Sequence, residues 1–363
     1  MITEVKNKKQ LKRFLLFARE LYRDEPNYVC PFISVQMREL TPLVLKNKTY
    51  FALWSERNGE IRARILYTFA TDHKTDQPTC YFSSFDFYND PEAVRELFDA
   101  MREHARKNGI VRLEGPYSPY DPDTRRGVLT NCYDKLPSVF LTYNYPYYVD
   151  IYESLGFGKV TDTLSMTVHT TDKVYKKAKR IAALYKGDEI ELSTLNRQNI
   201  KRDIQSIADI MAVATTEINY ESAPSLSMIA EIFNGMKLFI KDEYVIIARE
   251  RNTDRPIGFV IFLPELNQIF RHLGGRLNLF KYFYYRKRVN KVRGWLQYII
   301  PEYQGSLLLG LMFGKAAQVL EKDGIVEFEG GTVVEENSKS FSVFEYFGGY
   351  IDKVYRIYER SIM

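Results

Sequence analysis

The side chains best suited to holding a metal or forming a covalent staple are few and badly spaced for either task. Cys30, Cys80 and Cys132 are scattered with no paired spacing, as expected of reduced thiols in a cytoplasmic protein. His73, His104, His169 and His272 show no spacing that would gather them around an ion, so no metal is expected. The groups that remain are anion binders and proton carriers. Residues Arg271 to Arg293 hold eight Lys or Arg and no Asp or Glu, interleaved with Phe and Tyr. Such a segment can cover an anionic ligand, a phosphate or a nucleic-acid backbone; a solvated basic loop is the simpler reading, and nucleic acid is not expected as a partner. Tyr143, Asn144, Tyr147 and Tyr148 cluster beside a stretch rich in Pro, Asp and Gly. They are expected either to cover a ligand cleft or to pack between domains.

Elements must exist to position these groups, and the totals say how many. At 363 residues, with 45% apolar and 27% charged residues and a net charge of +5, the chain exceeds one ordinary core and should form two domains. No apolar run is long enough to span a membrane. The opening MITEVKNKKQLKRFLLF has only a brief apolar stretch and no cleavage site after it, and reads as a first strand and helix.

An internal duplication sets the architecture. Lys107 to Gly115 reads KNGIVRLEG and Lys322 to Gly330 reads KDGIVEFEG, agreeing at six of nine positions. A helical run precedes each phrase, Gly109 and Gly324 stand where a helix ends in a left-handed residue, and an apolar strand follows. Each half then repeats a short helix and a strand, through YYVDIYESLGFGKV with TDTLSMTVHT and through SVFEYFGGYIDKV with VYRIYERSI. Gly109 and Gly324 are 215 apart but Gly156 and Gly348 only 192, so the first half carries 23 extra residues. Ahead of these units each half shows a helical opening and a strand meander, with hairpin turns at Asn58-Gly59 and at 254–256. The expected domains are 1–170, containing an inserted loop at 116–146, and 191–363, joined by a lysine-rich helical linker at 171–190.

This order of elements resembles the GNAT (Gcn5-related) acyltransferase superfamily. The phrases LYRDEPNYVCPF, GPYSPYDPDTRRGVL, YNYPYYVDIYESLGF and YRIYER are similar to a bacterial tandem family of YghO-type proteins. The resemblance implies an α/β fold with mixed (α+β) sheets in two tandem GNAT-like domains, and a gap between the fourth and fifth strands that admits acyl-CoA or acetyl-CoA. It also implies a pyrophosphate loop of pattern Arg/Gln-x-x-Gly-x-Gly/Ala at a helix start, an anion site built from backbone amides. In the second half that loop falls on PEYQGSLLLG: Gln304 matches, Gly305 and Ser306 can donate amides, and Leu307 and Leu309 stand where glycine is usual. In the first half it falls on YNDPEAVREL, where Asp90 and Glu92 would repel a pyrophosphate.

The same resemblance implies a tyrosine general acid within Tyr-Glu-x-x-Gly-Phe. Tyr152 fits it in YESLGF, whereas the second half has Phe344, leaving Tyr346 as a substitute on another side of the helix. Strand-edge amides near Tyr298 to Ile300 would polarise the thioester carbonyl, Asn337 would touch the pantetheine amides, and Glu335 would take a proton from the amine. For Glu335 and Asn337 an exposed or helix-capping role is the plainer alternative. The function implied is N-acyl transfer to a small-molecule amine or peptide. Two alternatives stay open: a noncatalytic protein that keeps the fold to bind a ligand or partner, and an aminoacyl- or peptidyl-transfer protein on which Arg286 to Arg288 steer RNA.

Overall fold

The computed structural model describes residues 1–72, 75–118, 126–215, 225–338, 341–342, 345 and 348–362. In chain order the elements are β1 (Ile2–Glu4), α1 (Lys8–Leu21), α2 (Ile33–Leu40), β2 (Tyr50–Arg57), β3 (Glu60–Thr71), β4 (Pro78–Phe87), α3 (Pro91–Lys107), β5 (Arg112–Gly115), β6 (Val128–Leu129), α4 (Tyr147–Ser154) and β7 (Gly158–His169). There follow α5 (Lys173–Leu184), β8 (Ile190–Thr194), α6 (Ile200–Ala214), α7 (Leu226–Met236), β9 (Val245–Glu250), β10 (Pro256–Pro264), α8 (Asn267–Phe270), α9 (Leu279–Arg286), β11 (Lys291–Ile299), α10 (Leu308–Lys322), β12 (Glu327–Val334) and β13 (Tyr350–Ser361).

The chain folds into two compact units, and they are not two contiguous halves. Unit 1 comprises 1–164, 267–287 and 353–363; unit 2 comprises 165–266 and 288–352. The sheet of unit 1 runs β1-β2-β3-β4-β5-β13-β7, with β6 added beside β13. The sheet of unit 2 runs β7-β12-β11-β10-β9-β8. The strand that ends the second copy of the repeat thus completes the sheet of the first, through antiparallel pairing of Tyr358 to Gly115 and of Ser361 to Arg112. Asp162 on β7 holds the same strand by a two-pronged bond from Arg356, at 2.9 and 3.1 Å. Within the segment 171–190, α5 packs along α10 inside unit 2, where the Tyr175 hydroxyl donates to the Ala317 carbonyl at 2.8 Å.

Local chemistry accounts for the repeated helix-to-strand step. Helix α3 buries Ala93, Val94, Leu97, Phe98, Met101 and Ala105, three or four residues apart, which makes one apolar stripe. It ends where Gly109, at φ +72°, donates to Arg106 and Ile110 donates to Ala105. Helix α10 ends identically: Gly324, also at φ +72°, donates to Glu321, and Ile325 to Leu320. A side chain at either glycine would face the left-handed backbone penalty, so the two copies stop at the same register. The hairpin turns expected from sequence are present, with Asn58 at φ 52° and Asp254 at φ 58°.

Segment 116–146 is built into unit 1. Its strand β6 pairs with β13 through Leu129 and Tyr355, and the buried Asn144 side chain accepts from the Leu129 amide (2.7 Å) and donates to its carbonyl (3.0 Å). Tyr143, Asn144 and Tyr148 are all buried, so these residues pack as core within unit 1 rather than as an exposed cover. Residues 119–125 lie outside the described residues, as does His73.

Candidate active site

Each unit contains a pair of parallel strands that part company. In unit 2, β11 and β12 pair only from Lys291 with Glu327 to Gly294 with Gly330. Beyond that point β11 continues through Ile299 paired with β10, and from Trp295 onward no described strand pairs with its other edge, so β11 and β12 part there in a V. Glycines mark the root: a Cβ at Gly294 would lie 2.9 Å from the Phe328 ring, and one at Gly331 would lie 3.1 Å from the Gly294 carbonyl. In unit 1, β4 and β5 pair only from Thr79 with Arg112 to Tyr81 with Glu114, and there too β4 runs on without its parallel neighbour.

What lies past each gap differs. In unit 2 the chain leaves β11 through a short 3-10 turn, Pro301–Tyr303, and enters α10 at Leu308. Gln304 to Leu307 are exposed. Gly305 has φ +73° and nothing within 4 Å of an added Cβ. The Ser306 hydroxyl accepts from the Leu308 amide at 3.2 Å, while the amides of Gly305 and Leu307 bond to no described residue. No acidic residue occupies the first turn of α10, so the positive end of the helix dipole is left uncompensated. At the matching start of α3 the anion is already supplied. Asp90 accepts from the Ala93 amide at 3.2 Å and pairs with Arg62, and Arg57 reaches both Asp90 and Glu92. Burial alone would raise the Asp90 pKa, but the Ala93 amide and the Arg62 guanidinium outweigh it and hold the carboxyl below its usual range.

No family model matches the chain. Protein YghO of Escherichia coli (strain K12) is 25% identical to it over 373 residues, 98% of this chain and 94% of that protein. A bacterial ceramide synthase of Caulobacter vibrioides is 24% identical over 383 residues, 99% and 97% of the two chains. Among solved structures, a tandem GNAT protein from the clavulanic acid biosynthesis pathway superimposes with a TM-score of 0.58 at 12% identity, covering 100% of this chain and 99% of that one. The fold is the tandem GNAT fold. Its defining gap between parallel strands is present in both units.

Within this tandem GNAT fold the gap of unit 1 is filled by the protein itself. Phe87 at the end of β4 donates its amide to the Tyr148 hydroxyl at 3.0 Å, and the Tyr147 hydroxyl donates to the Phe87 carbonyl at 2.8 Å. Two side chains of α4 thereby take the edge bonds that a partner strand would have made. Tyr148 stacks on the Phe87 ring at 4.0 Å, and its hydroxyl lies 2.6 Å from that of Tyr22. Tyr152 follows one turn on, 1% exposed, among Phe82, Phe85, Phe157 and Tyr358. Burial pushes its hydroxyl well above the ordinary tyrosine range. The expectation of Tyr152 as an accessible general acid is therefore corrected: it is a core ring.

The remaining candidates belong to unit 2. Tyr298 packs against Phe259 with ring centres 5.7 Å apart, Ile300 is buried, and the Gln304 amide donates to the Ile299 carbonyl at 3.3 Å. Leu307 is 62% exposed while Leu308 is fully buried, so only one of these adjacent leucines serves the core. Glu335 and Asn337 are half-buried just past β12, with the Asn337 amide donating to Val334 at 2.9 Å. Phe344 and Tyr346 lie outside the described residues. Of the residues expected to hold an acyl-CoA pyrophosphate, Gly305 and Leu307 are the ones whose amides bond to no described residue and could receive it, with the Leu307 side chain narrowing the approach. Among the described residues no cluster could hold a metal ion, and no helix is long and apolar enough to cross a membrane.

A charged group missed from sequence sits at the root of the unit 2 gap. Glu329, 0% exposed, receives the Lys291 ammonium at 2.6 Å and the Ser165 hydroxyl at 2.6 Å, and Lys291 also reaches Glu327 at 2.7 Å. Burial would lower the Lys291 pKa, but Glu329 and Glu265 outweigh it and raise it. The equivalent residue of the first repeat, Glu114, is held instead by Arg112 on its own strand and by Tyr117. The glutamate is shared by the two copies and its counter-cation has moved one strand across; the signal available was the common Glu of RLEG and EFEG.

Proposed function

We propose that this chain is an N-acyltransferase that works in unit 2, moving an acyl group from acetyl-CoA or a longer acyl-CoA onto an amine. The observation that carries the proposal is the contrast between the two gaps: beyond Gly294 no described strand pairs with the outer edge of β11, and the helix start after it carries no acidic residue, whereas the edge of β4 is taken by Tyr147 and Tyr148 and the start of α3 by Asp90. The likeness to a protein named a bacterial ceramide synthase, an N-acyltransferase, supports the same reaction class.

When bound, the coenzyme supplies an activated thioester. The chain's residues do the rest. The β11 edge at Ile299 would orient the pantetheine arm and donate to the thioester carbonyl as charge builds on its oxygen; the expected donor Ile300 is already engaged, because its amide donates to the Ile257 carbonyl of β10 at 3.1 Å. The Gly305 and Leu307 amides would hold the pyrophosphate, and Asn337 would meet the pantetheine amides; Ser306 gives both its amide and its hydroxyl to the Tyr303 carbonyl, and Gln304 donates to Pro301 and Ile299. Glu335 accepts the amine proton as the C–N bond forms and the C–S bond breaks, and the departing thiolate is protonated from solvent.

Calorimetric titration with acetyl-CoA and a long-chain acyl-CoA tests this reading. Micromolar binding is expected, weakened more than about tenfold by Leu307→Glu, which sets a carboxylate against the phosphates. Absence of binding for both esters refutes it. That result would favour a noncatalytic ligand-binding protein, the reading suggested by leucines at both usual glycine positions, Leu307 and Leu309.

A further inference from the structure

The segment 267–287 interrupts the second repeat yet belongs to unit 1, and it is firmly seated there. The buried Asn267 side chain donates to the Pro137 carbonyl at 2.8 Å, Phe270 packs edge-on to Phe32, and Gly275 fits so closely that a Cβ would lie 2.7 Å from the Cys30 sulfur. Asn278 then caps α9 through the Lys281 amide at 3.0 Å. One face of this helix is spoken for: Tyr282 is buried, and Tyr285 stacks on His272 with ring centres 3.8 Å apart.

The other face is exposed and apolar. Phe280 is 90% exposed, and Leu277, Leu279, Phe283 and Tyr284 are each exposed by half or more. At about 100° per residue, Leu279, Phe283, Phe280 and Tyr284 succeed one another across an arc of roughly 140°. Arg286 falls just outside one end of that arc and Lys281 beyond the other. Arg271, Arg276 and Lys287 are exposed nearby, and none of these five cations forms an ion pair with a described residue. Lys291 and Arg293, by contrast, are largely buried in unit 2 and do not contribute to this surface.

We infer that α9 and the turn before it are a docking surface for an anionic phospholipid bilayer, lying in the interface rather than crossing it. An apolar face edged by long cationic side chains matches the boundary between acyl chains and phosphate headgroups: the rings and leucines enter the apolar layer, and Lys281 and Arg286 extend to the phosphates. The charge complementarity names the occupant. Nucleic acid would use the cations and the rings, but it offers no counterpart for Leu277 and Leu279, which cannot stack.

Co-sedimentation of the full chain with vesicles of phosphatidylcholine, alone or mixed with phosphatidylglycerol, tests the assignment. Binding to the mixed vesicles is expected, falling as salt is raised. Phe280→Glu with Phe283→Glu should reduce partitioning more than about tenfold, with circular dichroism and Tm unchanged. Arg276→Gln and Lys287→Gln should each cost about fivefold on mixed vesicles. Phe280→Trp gives an independent readout, a blue-shifted emission on vesicle addition. The inference is overturned if the wild type stays in the supernatant, if the Phe280 and Phe283 changes leave sedimentation intact, or if the emission of the Phe280→Trp variant does not move. It is equally overturned if the two glutamate changes instead dissolve a dimer in velocity sedimentation, or if tRNA binds in place of the vesicles.

Discussion

Removing the hydroxyl of Tyr148 is the sharpest test of the self-filled gap in unit 1. Tyr148→Phe keeps the ring stacked on Phe87 but deletes the acceptor for the Phe87 amide, a donor in a fully buried residue. An orphaned buried N–H costs about 1–3 kcal/mol. The second bond lost, to Tyr22, is partly recovered because the Tyr22 hydroxyl also reaches Asp86 at 3.4 Å. The net expectation is about 2 kcal/mol, or a fall in Tm of roughly 4–8 °C for a unit of this size. Tyr147→Phe should cost less, since the Phe87 carbonyl it abandons is an acceptor with a second lone pair and buried carbonyls tolerate under-satisfaction better than amides. Urea and thermal denaturation of both variants read the order directly. A loss below about 0.5 kcal/mol for Tyr148→Phe, or a larger loss for Tyr147→Phe, would refute the idea that these hydroxyls replace a strand.

Lys291→Met should destabilise unit 2 by about 3–5 kcal/mol, because Glu329 and Glu265 are left buried without their ammonium. The stranded carboxylates then favour protonation in the folded state, so the variant's deficit should shrink as pH is lowered toward about 5; a deficit independent of pH counts against it. The Asp162 pKa is lowered: burial would raise it, and Arg356 and Lys159 outweigh that. Its contribution is present above the unfolded value near 3.8 and lost as pH falls through the lower folded value. Asp162→Asn should therefore be less stable than wild type by about 1–3 kcal/mol at neutral pH, with the two curves converging in acid; parallel curves would sink the argument. Gly115→Ala places a Cβ 2.5 Å from the Phe82 carbonyl and should cost about 1–3 kcal/mol by forcing β4 and β5 apart, measurable as a fall in urea midpoint that a wild-type value would contradict.

Much of this was legible in the residues, wherever the determinants are local. A glycine after an amphipathic helix fixes where α3 and α10 stop, Asn-Gly fixes the β2–β3 turn, and the recurrence of the helix-ending phrase revealed the duplication. The missing part depends on contacts between distant residues. Strands β7 and β13 have similar apolar patterns, so nothing in either says which sheet receives β13. Tyr147 and Tyr148 look like ligand-contacting aromatics until the strand about 60 residues earlier is seen to need their hydroxyls. Lys291 and Arg293 extend a basic run in sequence, but β11 carries them inward, where the Lys291 ammonium meets carboxylates instead of water. Tyr152 matches a motif whose geometry is present, in the unit whose gap is closed.

The exchanged strand also orders events during synthesis. Residues 1–164 leave the ribosome well before 353–362, with roughly 190 residues in between, which at usual elongation rates is about 10–40 s. Throughout that interval the edges of β5 and β7 that β13 will occupy are exposed, a vacancy that another nascent copy of the chain could enter. Co-translational chaperone capture at this stage, and entangled dimers when translation outpaces it, are what such a delayed closing strand would produce.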